Sequence, residues 1–284
     1  MKSAVLFIMA VLYTLFSFAQ TDTSVTAANN VPSKSALTLG AVYANSVSYY
    51  GQKSEENTAY GAVAATYRFK SGFYLSGLAY RLIKENSSFV SASSLGAGFD
   101  FKFGKRISAD LSYNHSFFAN YSPLLQAGNP ENASLAFTFS TWLNLTVTGD
   151  YAFGKTNDGF ITAEMSKSIN LFSIGKQDII SINPSANIVT GTQHFYQTYL
   201  TEKRLRDSLL GLIDPIIGDP STDNGTTVTT SFNILSYNFK FPIAYNRASY
   251  LIEANYQLSG LSSKAQSGAG KLNSFLTLSF YYQF

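Results

Sequence analysis

The chain has 284 residues, a net charge of +3 and no cysteine. Absent thiols exclude a disulfide framework, thiolate metal centres and lipid attachment through an N-terminal cysteine, and so small a positive balance argues against nucleic acid as a partner. Charged residues are 13%, about half the roughly 25% of an average soluble domain, while aromatics reach 15%, with 23 Phe and 19 Tyr to one Trp.

The first residues separate from the rest. Met1 and Lys2 make a short positive start, Ala4 to Phe16 is apolar, and Ser17-Phe18-Ala19 supplies small residues where a signal peptidase reads. This predicts a secretory signal peptide over 1–19, cleaved after Ala19. The apolar run is shorter than the ~20 residues of a spanning helix. A polar stretch, 20–35, follows as a short periplasmic segment, leaving 36–284 for the body of the protein.

In that body no stretch is apolar enough for a transmembrane helix, and the mean hydropathy of the chain is +0.02. Instead, residues alternate with period two in segments as long as a tilted strand needs to cross a bilayer, ~9–11 residues. Leu95, Ala97, Phe99, Phe101 and Phe103 share one face; Ser94, Gly96, Gly98, Asp100 and Lys102 share the other. Ile107, Ala109, Leu111, Tyr113 and Phe117 oppose Arg106, Ser108, Asp110, Ser112 and Asn114 in the same way. So do Leu145, Val147, Tyr151 and Phe153 against Thr146, Thr148 and Asp150, and Tyr250, Ile252, Ala254 and Tyr256 against Leu251, Glu253 and Asn255.

Read along the chain, about twelve strands are expected, with ten or fourteen as alternatives. They lie near 36–46, 59–70, 73–83, 91–103, 106–117, 134–143, 144–154, 160–170, 178–189, 230–244, 248–259 and 273–284. Pro184 and Pro242 fall inside the ninth and tenth. Proline cannot donate to a ladder, so each predicts a bulge or a shifted boundary. Short connections such as Ser71-Gly72, Gly104-Lys105 and Asn246-Arg247 alternate with longer ones at 47–58, 84–90, 119–133 and 190–229. The link 171–177 is the exception. Short periplasmic turns, long external loops and an apolar/polar alternation predict an all-β fold: a transmembrane antiparallel up-and-down β-barrel. Hydrocarbon leaves no partner for open edges, so the first and last strands must pair.

The last strand carries a resemblance. Leu276, Leu278, Phe280, Tyr282 and Phe284 alternate and finish on an aromatic C-terminal residue. This resembles the signal by which the barrel-assembly machinery recognises Gram-negative outer-membrane β-barrel proteins of the porin-like superfamily. Phe18-Ala19-Gln20 is similar to signal peptides of Bacteroidota. The resemblance implies location in the cell outer membrane, with membrane lipid, lipopolysaccharide and the assembly machinery as partners. It implies no substrate.

Aromatic girdles are expected at both interfaces. Tyr67, Phe69, Phe101, Phe103, Tyr282 and Phe284 are assigned to the periplasmic rim; Tyr49, Tyr50, Tyr60, Phe89, Phe117, Tyr121, Phe153 and Phe160 to the outer one. The charges expected to line the lumen are Arg68, Lys70, Arg81, Asp100, Lys102, Arg106, Asp110, Asp150, Glu164, Lys240 and Glu253. They either tune an aqueous passage, as charge rings do in pores, or pair across the interior and fill it. In the long connection 190–229, Leu205, Leu209, Leu212, Ile213 and Ile216 follow helical spacing, with Pro215, Pro220 and the turn Asp223-Asn224-Gly225 beyond. It either constricts the mouth or caps it.

Catalytic signals are sparse. His115 and Ser116 are adjacent and so face opposite sides of a strand, which weakens a lipid-hydrolase reading; His194 lies in the long loop. No phosphate-binding glycine loop or metal-ligand spacing is present, and Asn157-Asp158-Gly159 reads as turn chemistry. The expectation is a channel or small-solute transporter that is not an enzyme and takes no cofactor. A structural or adhesive barrel with partner-binding loops is the alternative, and a membrane-embedded lipid hydrolase the second.

Overall fold

A computed structural model describes residues 34–56, 58–83, 90–120, 122–209 and 231–284. Residues 1–19, read above as a signal peptide, most of segment 20–35, Phe89, Tyr121, and residues 210–229 with Pro215, Pro220 and Asp223-Asn224-Gly225 lie outside the described residues.

Twelve antiparallel strands close into one barrel. They are β1 (Ala36–Ala44), β2 (Tyr60–Arg68), β3 (Phe73–Leu82), β4 (Ala92–Phe103), β5 (Ile107–Phe118), β6 (Glu131–Ser140) and β7 (Asn144–Phe153). Next come β8 (Asp158–Ser166, continuing as Ile169–Phe172) and β9 (Asp178–Ile182, continuing as Ser185–Gly191). Last are β10 (Asn233–Arg247), β11 (Tyr250–Leu261) and β12 (Leu272–Gln283). Every strand pairs with its neighbours in sequence, and β1 closes on β12 from Thr38↔Gln283 to Ala44↔Thr277. No edge is left to pair with another chain.

Both prolines sit in register without a bulge of their own. The two pieces of β9 meet β10 at Ile182↔Ile243 and Ser185↔Lys240, which keeps one register across Asn183-Pro184. Pro242 remains inside β10 and accepts from the Asn183 amide at 3.3 Å. Bulges fall elsewhere: one between Ile180 and Ser181, where β8 carries the extra residue Leu171, and one between Val189 and Thr190, where β10 carries one extra residue. The effect of the second is that Leu235 and Ser236, adjacent in sequence, are both fully buried. Link 171–177 resolves into a turn, because β8 runs on to Phe172 and Asp178 accepts from the amides of Ile174 (2.8 Å) and Gly175 (2.7 Å). The sixth strand starts earlier than expected, at Glu131.

Short turns (69–72, 104–106, 141–143, 173–177 and 248–249) share one end with both ends of the barrel chain, the periplasmic end in this arrangement. The wall between the ends has two faces. Leu39, Val63, Leu95, Phe137, Val147, Ile188, Phe241, Ile252 and Leu278 are all exposed on the outside. An apolar belt that continues around the whole circumference is far larger than a soluble surface carries, and it is the lipid-facing band of a transmembrane barrel. The interior positions are mostly Ser, Thr, Asn, Gly and charge. The apolar core therefore gathers at the outer mouth, where Leu125, Phe160, Val189, Phe195, Tyr199 and Leu235 form one buried cluster.

Candidate functional site: a polar lumen closed at its outer mouth

Two charged clusters occupy the lumen wall. On β2–β5, Arg68 pairs with Asp100, its guanidinium lies 4.5 Å from the Tyr74 ring centroid, and the Tyr74 hydroxyl donates to Asp110 at 2.9 Å. Asp100 and Asp110 are direct cross-strand neighbours. Two carboxylates so placed repel, and Arg68 and Tyr74 offset that. Gly98 allows the arrangement, because a Cβ there would run into the Tyr74 ring. On β8–β10, Lys240 donates to Glu164 at 2.9 Å and Asn187 does so at 3.0 Å; Asn238 then donates to Asn187 at 2.7 Å. Neighbouring acceptors, the Oδ1 atoms of Asn183, Asn246 and Asn255, have no protein donor, so this stretch of wall offers oxygens to whatever fills the interior.

Of the residues assigned to the lumen by sequence, Arg68, Asp100, Lys102, Asp110, Asp150, Glu164, Lys240 and Glu253 occupy inward positions of their strands. Three do not. Arg81 pairs with Gly61 on the face that carries Val63 and Tyr67, so it points outward near the outer rim. The strand alternates Tyr80-in, Arg81-out, Leu82-in, and its charge misled the assignment; a basic side chain at the interface costs little. Lys70 and Arg106 sit exposed in the periplasmic turns after β2 and β4.

The outer mouth is shut by loops that fold inward. Loop 1, between β1 and β2, makes a tight hairpin in which Tyr49 and Gln52 exchange backbone bonds of 2.9 and 3.0 Å. Tyr50 (φ 52) and Gly51 (φ 83) are its central residues. Both in the left-handed region define a type I′ turn, which a tyrosine adopts only under strain. The hairpin crosses the lumen. Its Tyr50 carbonyl accepts from Ser236 at 2.8 Å, its Gly51 carbonyl from Asn273 at 3.0 Å, and the Tyr50 ring stacks on Phe160 with centroids 3.8 Å apart. Tyr49 meets Phe195 edge-on at 4.9 Å. Burial pushes both phenols well above their ordinary pKa, Tyr49 also through the charge of Asp158 and Tyr50 through Tyr49 and Asp150.

Above the hairpin lies helix α1 (Phe195–Leu209), which caps the mouth. Its own first turn holds no acidic residue. The cap comes from the wall: Asp158, 1% exposed, accepts from the amides of His194 (2.7 Å) and Phe195 (2.9 Å), from Thr192 (2.8 Å) and from Asn129 (2.8 Å). A carboxylate at a helix N-terminus satisfies free N–H groups and the dipole together. The helix is latched to loop 1: Tyr199 donates to Glu56 at 2.8 Å, the Glu55 amide donates to Tyr199 at 3.0 Å, and Arg206–Glu56 and Lys203–Glu55 form ion pairs. Loop 6, between β11 and β12, completes the seal, with Gln193 bonded to the Lys264 carbonyl and the Gln266 amide and Ser267 donating to Gln52.

Sequence reading missed this packed mouth. Tyr49, Tyr50, Tyr60 and Phe160 were assigned to the outer girdle and instead face the interior. Phe117 and Phe153 do lie outside, and the periplasmic girdle of Tyr67, Phe101, Phe103, Tyr282 and Phe284 is exposed on the outer surface or at the rim. Asp158 is a buried anchor and no turn residue. Parity carried a signal for two of them: Phe160 shares it with Glu164 and Tyr60 with Arg68, and both partners face in. On the lipid-facing side, His115 bonds Glu131 at 2.7 Å and Tyr113 donates to the same carboxylate, while Ser116 faces inward. Among the described residues no group of three or more His, Cys, Asp or Glu is placed to hold a metal ion.

No family model matches this chain, and no curated protein matches it. Solved barrels resemble it in outline. The KdgM porin matches with TM-score 0.48 at 8% identity, over 87% of this chain and 99% of that one. The NanC porin matches with 0.44 at 6%, over 87% and 98%. An outer membrane channel from Pseudomonas putida F1 matches with 0.45 at 10%, over 93% and 100%. Values this low bear on neither substrate nor mechanism.

Proposed function

We propose that this outer-membrane barrel is a gated channel for small polar solutes, with loop 1 as the gate and α1 as its lid. The observation that carries the reading is the contrast inside one barrel. The wall is mostly polar below the mouth, yet the outer mouth is sealed by a strained hairpin held through individually modest contacts. A barrel whose only task is structural gains nothing from unpartnered amide oxygens facing inward, each of which costs about 1–3 kcal/mol if left dry. Hydrated, they are stable, and a hydrated lumen is a path.

Lys240 and Glu164 compensate each other, whereas Arg68 faces both Asp100 and Asp110, and Asp150 and Glu253 add to the carboxylate excess; the wall therefore predicts a modest cation preference with passage of uncharged or zwitterionic solutes as well. The sequence offered the long connection 190–229 as constriction or cap. Its described part acts as the cap, and the constriction is loop 1. Conductance across a planar bilayer tests this. Purified protein should show long closures with occasional openings, and the Tyr49→Ser, Tyr50→Ser double variant should stay open for much longer. Repeated insertions of both without a single opening would remove the channel reading and leave the alternative, a barrel whose capped face binds an external partner.

A further inference from the structure

The lid has a second face. Tyr196, Tyr199, Lys203 and Arg206 recur every three to four residues and meet loop 1 or the cluster beneath it. The opposite stripe of the same helix, Gln197, Thr198, Thr201, Glu202 and Leu205, lines a groove of about 790 Å³. The facing wall is the outer end of β5 with the turn between β7 and β8. The volume falls in the range of small-molecule sites, roughly 300–1,000 Å³.

We infer that this groove binds an uncharged saccharide, and that an occupied groove holds the lid seated over the gate. The chemistry of the lining selects the class. Ser116, Thr156, Thr198 and Thr201 present hydroxyls, and Asn120 and Gln197 present amides. Both groups donate and accept, as sugar hydroxyls do. Phe118 adds a ring against which the apolar face of a pyranose can rest. The lining's one cation and one anion, Lys155 and Glu202, are paired with each other. An ionic ligand therefore meets no net charge. An apolar one would cover Ser116, Asn120, Gln197, Thr198 and Thr201 without bonding them, which disfavours it; Thr156 already donates to Asn129 at 2.6 Å.

The consequence for gating has a definite sign. One wall of the groove is α1 itself, so the groove exists only while the lid is down. A ligand that binds one of two states shifts the population toward it by its differential affinity, and the coupling is reciprocal. Saccharide binding favours the closed lid, and loosening the latch weakens saccharide binding. The second statement rests on the gate proposed above; the binding site does not.

Saturation-transfer difference NMR on the detergent-solubilised full chain tests both, with maltose, cellobiose and N,N′-diacetylchitobiose as probes and glucuronate and glycine betaine as controls. At least one disaccharide should give a signal that exceeds both controls. Thr198→Val combined with Thr201→Val should weaken it at least tenfold, and Phe118→Ala provides a second groove variant should the first misfold. Glu56→Gln, outside the groove, should weaken it several-fold. Silence from all three sugars, an equal glucuronate signal, or sugar signals unaffected by the groove variants would overturn the site. An unchanged affinity in Glu56→Gln would overturn the coupling. No conductance enters these readouts, so they fail or succeed separately from the channel reading.

Discussion

Gly51→Ala is the sharpest probe of the gate. The added Cβ would lie 2.6 Å from Asn238 Oδ1, 2.8 Å from Ser236 Oγ and 3.0 Å from Ser236 Cβ, all on the β10 wall where the hairpin docks. Asn238 cannot retreat freely, since its amide nitrogen is tied to Asn187 at 2.7 Å and Ser236 at 3.0 Å. The glycine's φ of 83° adds a further ~1–2 kcal/mol for any residue with a Cβ. Counting about 1 kcal/mol for the displaced contact, docking weakens by roughly 2–3 kcal/mol. At 1.4 kcal/mol per factor of ten, the docked to undocked ratio falls by about 30- to 150-fold. Single-channel recording reads this directly as a rise in open probability. The control is Gly104→Ala, with φ 71° in a periplasmic turn and nothing within 4 Å of the new Cβ. It carries the same backbone strain without touching the gate and should gate as the parent does. If Gly51→Ala also gates like the parent, the hairpin is not the closure.

Tyr199→Phe removes a buried hydroxyl that bridges Glu55 and Glu56; the latch should lose ~1–3 kcal/mol, seen as faster amide exchange across 195–206 with the barrel strands unchanged. Asp158→Ala removes the acceptor of the His194 and Phe195 amides and of the Thr192 hydroxyl at the N-terminus of α1, and should release that helix to limited proteolysis while the barrel stays intact; a protected helix would refute the cap. Alkaline pH acts through Tyr49 and Tyr50. Their pKa values are raised on docking, so this contribution is complete below the ordinary phenol value near 10 and is lost as pH climbs toward the raised values. Openings should therefore increase only above about pH 10, and a Tyr49→Phe, Tyr50→Phe variant should lack that rise. Arg68→Ser leaves Asp100 without its partner beside Asp110, so reversal potentials in a salt gradient should move toward cation preference.

Much of the wall was legible in the sequence. Strand positions and the lumen parity of Asp100, Asp110, Glu164 and Glu253 follow from a period-two pattern, because a bilayer imposes one solvent on each face and a strand turns its residues to them alternately. Closure follows from the same source, since an open edge in hydrocarbon has no partner. Even Phe160 was readable, by parity, as an inward residue. Composition overrode that parity for Phe160 and for Arg81: an aromatic suggested a girdle and a charge suggested the lumen. What tertiary structure alone decided is the mouth. Tyr49–Gln52 dock on Phe160 of β8 and Ser236 of β10, Asp158 caps a helix that begins thirty-seven residues later, and Glu55 and Glu56 latch to a helix about 150 positions on. None of these contacts has a periodicity. Each depends on where the closed cylinder brings separate loops together, and a local pattern carries no record of that.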